Sequence, residues 1–141
     1  DQFTDYNKIY LNGMFQFHFL IEEKRLKKFL EEMYNFFESK GIYSSFIVIK
    51  KFNEKQNLNQ FYGKGVSLSM DFPINKKFKI LRNFLIKISL KYKLRVNLSK
   101  DLIGTKSLNT KLHDKSLISI YKKMDKKNKI KSLMSSRMGF K

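Results

Sequence analysis

Apolar residues near the start of the chain alternate with polar ones and then change to a helical spacing. The run Met14–Ile21 alternates with a period of two, which predicts a half-buried β-strand. One side of this strand carries Phe15, Phe17, Phe19 and Ile21, and the other side carries Gln16 and His18. From Glu22 to Lys40 the apolar residues recur every three or four positions, which predicts an amphipathic helix that ends at Gly41.

A second strand and a loop follow this helix. Tyr43–Phe52 is rich in β-branched and aromatic residues, which predicts a strand. Ile47 and Ile49 share the side expected to face the helices, and the opposite side carries Phe46, Val48, Lys50 and Phe52. Asn53–Gly65 is polar and contains Asn, Gln and Gly, which predicts a loop.

A third strand, a second helix and a fourth strand follow in that order along the chain. Val66–Phe72 alternates cleanly, and its polar side carries Ser67, Ser69 and Asp71. Pro73 is expected to end this strand because proline cannot donate to the ladder. Asn75 is expected to cap a helix that runs to about Tyr92. Leu94–Leu98 predicts a short fourth strand, whose polar side carries Arg95 and Asn97.

The order of these elements is β-α-β-β-α-β, which is the ferredoxin-like arrangement of the α+β class. It predicts one antiparallel sheet with both helices on one face. After Ser99 the pattern weakens, and Leu112–Met124 is expected to form a helix within a lysine-rich C-terminal tail. The whole chain, 1–141, is interpreted as one domain.

The face of the sheet without helices is expected to collect short polar side chains and a few apolar ones. Its members are Gln16, His18, Phe46, Val48, Lys50, Ser67, Ser69, Asp71 and Asn97. A solvated face in a lysine-rich chain carries mostly Lys and Glu, whereas this mixture is typical of a surface that recognises a hydroxylated ligand. The alternative is an ordinary half-polar sheet that packs on another domain, and the pattern favours neither.

Composition narrows the classes of protein that remain. The chain has 141 residues, 42% of them hydrophobic, which excludes an intrinsically disordered chain. It has no cysteine, so disulfides, thiolate metal sites and cysteine nucleophiles are excluded. Its six glycines form no phosphate loop and its two histidines are far apart, so these residues alone do not predict an independent enzyme. The start at Asp1, without Met, is interpreted as a cut inside a longer chain.

The net charge of +18 allows two interpretations. It is typical of proteins that bind nucleic acid or an anionic membrane surface, and it also follows from a genome whose base composition favours Lys and Asn. RNA-binding modules of this topology stack bases on aromatic residues of the first and third strands. The third strand instead presents Ser67, Ser69 and Asp71, so a stand-alone module for RNA or anionic lipid is the second hypothesis.

Six strings, in one order, resemble the C-terminal substrate domain of FAD-linked oxidases, closest to the branch that oxidises decaprenylphosphoryl-β-D-ribose at its 2-position. They are Tyr6-Asn7-Lys8, Phe15-Gln16-Phe17-His18-Phe19, Phe46-Ile47-Val48-Ile49-Lys50-Lys51-Phe52, Ser69-Met70-Asp71-Phe72-Pro73, Arg95-Val96-Asn97-Leu98-Ser99-Lys100-Asp101 and Ser136-Arg137-Met138-Gly139-Phe140. The resemblance covers essentially the whole chain, most weakly between Thr105 and Lys131.

The resemblance implies a substrate-binding cap domain, whose N-terminal FAD-binding domain is absent from this sequence. It implies oxidation of a sugar secondary alcohol by hydride transfer to FAD, with a lipid-linked sugar phosphate as substrate. A separate short-chain reductase would complete the epimerisation. The implied setting is bacterial, cytoplasmic or at the membrane surface, with no nucleic-acid partner.

The resemblance also implies roles for individual residues. Lys100 matches a lysine that approaches both flavin and substrate, so it is the candidate catalytic and cofactor-binding residue. The implied substrate-binding residues are Gln16, His18, Val48, Lys50, Phe52, Ser67, Ser69 and Asn97. The chain departs from its relatives at His18 (often Gln), at Ser67 and Ser69 (Asn and a small residue or Cys), at Asn97 (an aromatic) and at Asp125-Lys126 (Asp-Pro). These departures concern the substrate more than the fold.

Overall fold

A computed structural model describes residues 6–53 and 63–97 and the single positions 100, 103, 104, 108, 119, 123 and 124. Its elements are α1 (Tyr6–Ile9), β1 (Met14–Ile21), α2 (Glu23–Lys40), β2 (Phe46–Phe52), β3 (Gly65–Pro73), α3 (Phe78–Tyr92) and β4 (Arg95–Val96). The short helix α1 was not expected from the sequence. Three of the predicted strands and both long helices lie within a few residues of their predicted bounds.

The strands form one antiparallel sheet in the order β2-β3-β1-β4. In the β1–β3 ladder Phe17 lies opposite Met70, so the apolar residues of both strands share one face. Val48 of β2 lies opposite Ser69, on the other face. The predicted α+β, ferredoxin-like arrangement is therefore confirmed.

Both long helices cover the apolar face of the sheet. Phe17 and Phe19 of β1 are fully buried, as are Phe29 of α2 and Leu85 of α3. The rings of Phe19 and Phe29 meet edge to face with their centroids 5.1 Å apart, which joins the sheet directly to α2. The core consequently lies between the helices and the apolar face of the sheet, and no described helix covers the other face.

The two helices also contact each other. The rings of Phe36 and Phe84 stack in parallel at 3.7 Å between centroids. The hydroxyl of Tyr92 donates to Oε1 of Glu32 at 2.7 Å, and Lys91 forms an ion pair with the same carboxylate. Burial and the Glu32 carboxylate raise the pKa of Tyr92 to about 12, so this hydroxyl keeps its proton at any physiological pH.

Helix α2 ends where the sequence predicts. Gly41 adopts the left-handed conformation with φ 54°, which glycine reaches without strain. The amide of Ile42 donates to the carbonyl of Phe37 at 3.1 Å, and the Nζ atom of Lys77 donates to the carbonyl of Lys40 at 2.8 Å. The helix end therefore has partners for its last carbonyl groups.

Two predicted boundaries are wrong by a few residues. Strand β2 begins at Phe46 rather than Tyr43, because the Oγ atoms of Ser44 and Ser45 both donate to the carbonyl of Asp71 and bend the chain there. Helix α3 begins at Phe78, and Asn75 caps only the preceding turn, through its Oδ1 and the amide of Lys77 at 2.8 Å.

The expectation that the helices would cover β2 is also wrong. Ile47 and Ile49 lie on the helix side of the sheet but are 46% and 58% exposed. β2 is an edge strand, and the core is formed by β1, β3 and β4 together with the helices. Alternation gives the side on which a residue lies, but not whether a helix reaches that far.

Most of the predicted Asn53–Gly65 loop, Leu98 and most of the predicted Leu112–Met124 helix lie outside the described residues. β4 comprises Arg95–Val96, so it is shorter than predicted: Leu94 and Asn97 are described and lie outside the strand. None of the described helices is both long enough and apolar enough to cross a membrane.

Candidate functional site

A hollow of about 220 Å³ lies on the face of the sheet opposite the helices. It is lined by Gln16, His18, Val48, Lys50, Phe52, Ser67, Ser69 and Lys100. Every one of these residues belongs to the site predicted from the sequence. The one remaining member, Asn97, does not line the hollow but contacts His18, which does. The structure thus brings together all nine residues, which come from four separate parts of the chain.

The strand register explains this convergence. His18 lies opposite Ser69 in the β1–β3 ladder, and Lys50 lies opposite Ser67 in the β2–β3 ladder. Because residues two apart on a strand share a face, all these side chains leave the sheet in the same direction. The sheet therefore acts as a rigid floor that fixes the spacing of the polar groups.

His18 lies at the centre of a relay of three side chains. The Nδ2 atom of Asn97 is 2.9 Å from Nδ1 of His18, and an amide nitrogen can only donate. Nδ1 is consequently the acceptor, and the ring carries its proton on Nε2. Nε2 in turn lies 2.8 Å from Oγ of Ser67, to which it donates. The backbone amide of Asn97 also donates to the carbonyl of His18 at 2.8 Å, which holds the two residues in register.

Electrostatics favour the same neutral form of the ring. Partial burial lowers the pKa of His18 below its usual 6.5, and the nearby charges of Lys100 and Lys50 lower it further. Both causes disfavour the imidazolium. At neutral pH the ring is therefore an uncharged donor to Ser67 and an uncharged acceptor for Asn97.

Asp71 is the supporting residue that the sequence interpretation left without a role. Its Oδ1 accepts a hydrogen bond from Nε2 of Gln16 at 2.8 Å, and Asp71 is only 7% exposed. Gln16 and Asp71 are direct cross-strand partners in the β1–β3 ladder. Pairing the two predicted strands in this register would have identified the contact, because Gln16 and Asp71 both lie on the polar side.

The hollow carries positive charge and hydrogen-bond donors. Lys50 and Lys100 are both exposed at its rim, and among the lining residues that the structure describes none has a carboxylate. The carboxylate of Asp71, on the same face of β3, is bound to Gln16. Such a set of groups suits a ligand with negative charge or several acceptor atoms.

A larger cavity of about 340 Å³ lies at the other end of β3, beside the first turn of α3. Three of its polar side chains bind the backbone: Lys77 binds the end of α2, and Ser44 and Ser45 bind the carbonyl of Asp71. Size alone therefore does not make it the better site. Nor do the described residues include any cluster of His, Asp or Glu that could hold a metal ion.

Comparisons with known proteins do not assign this chain to a family. No family model matches the chain, and no curated protein matches it.

Proposed function

We propose that the chain is the substrate-binding cap domain of an FAD-linked oxidase that oxidises a secondary alcohol of a lipid-linked sugar phosphate. One observation carries this proposal: the nine residues implied by the resemblance to this family meet in or beside one hollow on the helix-free face. The strand register brings these residues, which are far apart in sequence, to one face of the sheet.

The size of the hollow supports a site that is completed by another surface. Its volume of about 220 Å³ is below the roughly 300–1,000 Å³ of pockets that enclose a drug-sized ligand. A sugar-sized group fits, whereas a whole lipid-linked substrate does not. The missing walls would come from an FAD-binding domain that faces the sheet.

The residues at the rim fit a flavin as neighbour. Lys100 is exposed and carries a positive charge, which would stabilise negative charge on the pyrimidine end of a reduced flavin. When bound, FAD would supply the hydride acceptor for the oxidation of the alcohol. The chain itself would hold the substrate through Lys50 and Ser67, with Gln16 oriented by Asp71.

The net charge of +18 supports a substrate with a lipid-linked phosphate. Each cation near an anionic membrane surface contributes about 1 kcal/mol of attraction. The domain could therefore work at a membrane surface without spanning it. A short-chain reductase that acts on the resulting ketone would complete an epimerisation.

The test begins with the complete reading frame to which the chain belongs. We expect it to encode an FAD-binding domain upstream of Asp1, and we expect the purified protein to carry flavin that is bleached anaerobically by polyprenylphosphoryl ribose. Lys100→Ala should slow this bleaching at least tenfold. Lys79→Ala, which removes the same charge from the exposed surface of α3, should leave it unchanged.

A reading frame without a flavin-binding domain would contradict the proposal, as would equal bleaching in both lysine variants. Binding of single-stranded RNA with a steep salt dependence and a footprint on the sheet would favour the RNA-binding alternative. On its helix-free face, β3 carries no aromatic side chain where such modules stack bases, and this counts against RNA binding.

A further inference from the structure

The hydroxyl of Ser67 is a buried donor without an acceptor in the described parts of the chain. Ser67 is 3% exposed and lines the hollow. Within residues 6–53 and 63–97, the hydrogen-bond partner of its side chain is Nε2 of His18. Since Nε2 donates, Ser67 accepts this bond and its own hydrogen remains to be donated. Because Ser67 lines the hollow, a ligand atom bound there can accept this hydrogen in place of solvent.

The positively charged side chain of Lys50 lies next to the hydroxyl of Ser67. Lys50 is the direct cross-strand partner of Ser67 on the same face, and opposed side chains of this kind have Cβ atoms about 5 Å apart. Lys50 can offer up to three donors and no acceptor, and Ser67 offers one. Together they form a positively charged subsite rich in hydrogen-bond donors.

We propose that the Asn97–His18–Ser67 relay makes this subsite specific for an oxyanion, such as the phosphoryl group of the substrate, and not for a neutral hydroxyl group. The inference rests on the proposed function in taking the hollow as the ligand site, and it adds which group of the ligand lies there. His18 acts as a positioning residue: by donating to Ser67 it turns the hydroxyl hydrogen toward the ligand. Lys100 also lines the hollow.

Selectivity follows from the positive charge of the subsite. A phosphoryl or carboxylate oxygen accepts from both Ser67 and Lys50, and its negative charge strengthens both hydrogen bonds. A sugar hydroxyl in the same position accepts the same hydrogen bonds without that charge, so it binds more weakly. Specificity of this kind is the difference between the two affinities.

Anion binding should also depend on pH. Among the described residues, the charged groups on the same face as His18 are Lys50 on β2, Lys100 after β4, Arg95 on β4, and Asp71 on β3, which is bound to Gln16. An anion beside Ser67 offsets the two lysines and makes protonation of His18 easier. By linkage, lower pH then favours the anion, provided that the Asn97 amide turns its oxygen toward the new Nδ1 proton.

The experiment is a titration of the chain with sulfate, which does not itself titrate, followed through the imidazole signals of His18 between about pH 5 and 8. His18→Gln identifies these signals, since His113 is the second histidine of the sequence. We expect the free ring to be the Nε2–H tautomer, and we expect sulfate to bind more tightly as the pH falls. Ribose 5-phosphate should bind at least tenfold more tightly than ribose.

Matched variants separate the relay from the general positive charge. Ser67→Ala should weaken sulfate binding about tenfold, while Ser89→Ala, which removes an equally buried hydroxyl from α3, should not. Lys50→Gln should weaken it, while Lys51→Gln, which makes the same charge change on the opposite face, should not. His18→Gln retains a donor and should keep binding within about threefold but lose its dependence on pH.

An Nδ1–H tautomer, or equal binding in the Ser67 and Ser89 variants, would overturn the inference. If ribose 5-phosphate bound in the hollow independently of pH and of Ser67, the relay would fail while the proposed function stood. If sulfate behaved as expected but the complete protein showed no flavin bleaching, the oxidase function alone would fail. A final measurement uses phosphatidylserine vesicles. If Ser67→Ala weakens binding of the chain to these vesicles, the oxyanion comes from a lipid headgroup.

Discussion

The two sides of strand β1 differ in what each residue contributes. On the helix side Phe15, Phe17 and Phe19 are buried among other apolar residues, and any one of them could be exchanged for a similar shape at modest cost. On the other side Gln16 and His18 each make hydrogen bonds to particular partners on another strand. One strand thus supplies stability from one face and recognition from the other. Substitutions on the two faces should accordingly differ in how far they lower the free energy of unfolding and in whether they change ligand binding.

The largest effect is expected on the helix side. Phe17→Ala removes a fully buried ring that lies 4.7 Å from the ring of Phe19, and we expect the free energy of unfolding to fall by about 3–5 kcal/mol. Urea denaturation measures this loss. Phe46→Ala, which removes the same ring from a position 47% exposed on β2, should cost less than about 1 kcal/mol. Equal losses would contradict the assignment of the core to one face.

An intermediate effect is expected from Asp71. Asp71→Ala removes the acceptor of the hydrogen bond from Nε2 of Gln16 and should lower the free energy of unfolding by about 1–3 kcal/mol. Asp71→Asn retains an acceptor oxygen and should cost clearly less. Thermal denaturation of both variants distinguishes a specific hydrogen bond from simple packing. If the two variants were equally destabilised, the carboxylate charge and not the contact with Gln16 would be responsible.

A smaller effect concerns pH. Because the pKa of His18 is lowered in the folded state, mainly by burial and then by Lys100 and Lys50, the unfolded chain takes up a proton that the folded chain resists. The free energy of unfolding should therefore fall as the pH drops from about 6.5 toward the lowered pKa of His18. Above about pH 6.5 His18 should contribute no pH dependence. Denaturation curves across this range measure the slope.

His18→Gln should remove this part of the pH dependence. A slope that persists unchanged in the variant would show that other groups titrate, and a folded-state pKa above 6.5 would reverse its sign.

The smallest effect sharpens the comparison between neighbouring lysines. Lys51 forms an ion pair with Glu23 at 2.8 Å, but both side chains are more than half exposed, so Lys51→Gln should change stability by less than about 1 kcal/mol. Lys50→Gln should change stability just as little. A loss above about 2 kcal/mol in either variant, measured by urea denaturation, would mean that these lysines are structural.

Much of the fold could be predicted from the sequence, because strong periodicity in β1, α2, β3 and α3 leaves few alternatives. The limits of β2 could not, since they depend on hydrogen bonds from Ser44 and Ser45 to Asp71, far away in sequence. The sequence also could not predict which strands the helices cover. Ile47 and Ile49 have the same pattern as the buried residues of β3, and only the position of β2 at the edge leaves them exposed.

The candidate site divides in the same way. Alternation predicts which side chains share the helix-free face, and the resemblance to FAD-linked oxidases selects residues among them. Neither gives the tautomer of His18, which depends on the amide orientation of Asn97, nor the contact of Gln16 with Asp71. Those features depend on strand register and on side-chain geometry, which no single segment of sequence contains.

The most direct test of the helix-free face as a ligand site is a map of backbone amide shifts during titration of the chain with ribose 5-phosphate. We expect the changes to concentrate at Gln16, His18, Ser67 and Ser69, to weaken about tenfold in Lys50→Gln, and to persist in Lys51→Gln. Shifts spread over the lysine-rich surface, equal in both variants, would contradict the assignment of the hollow as the binding site.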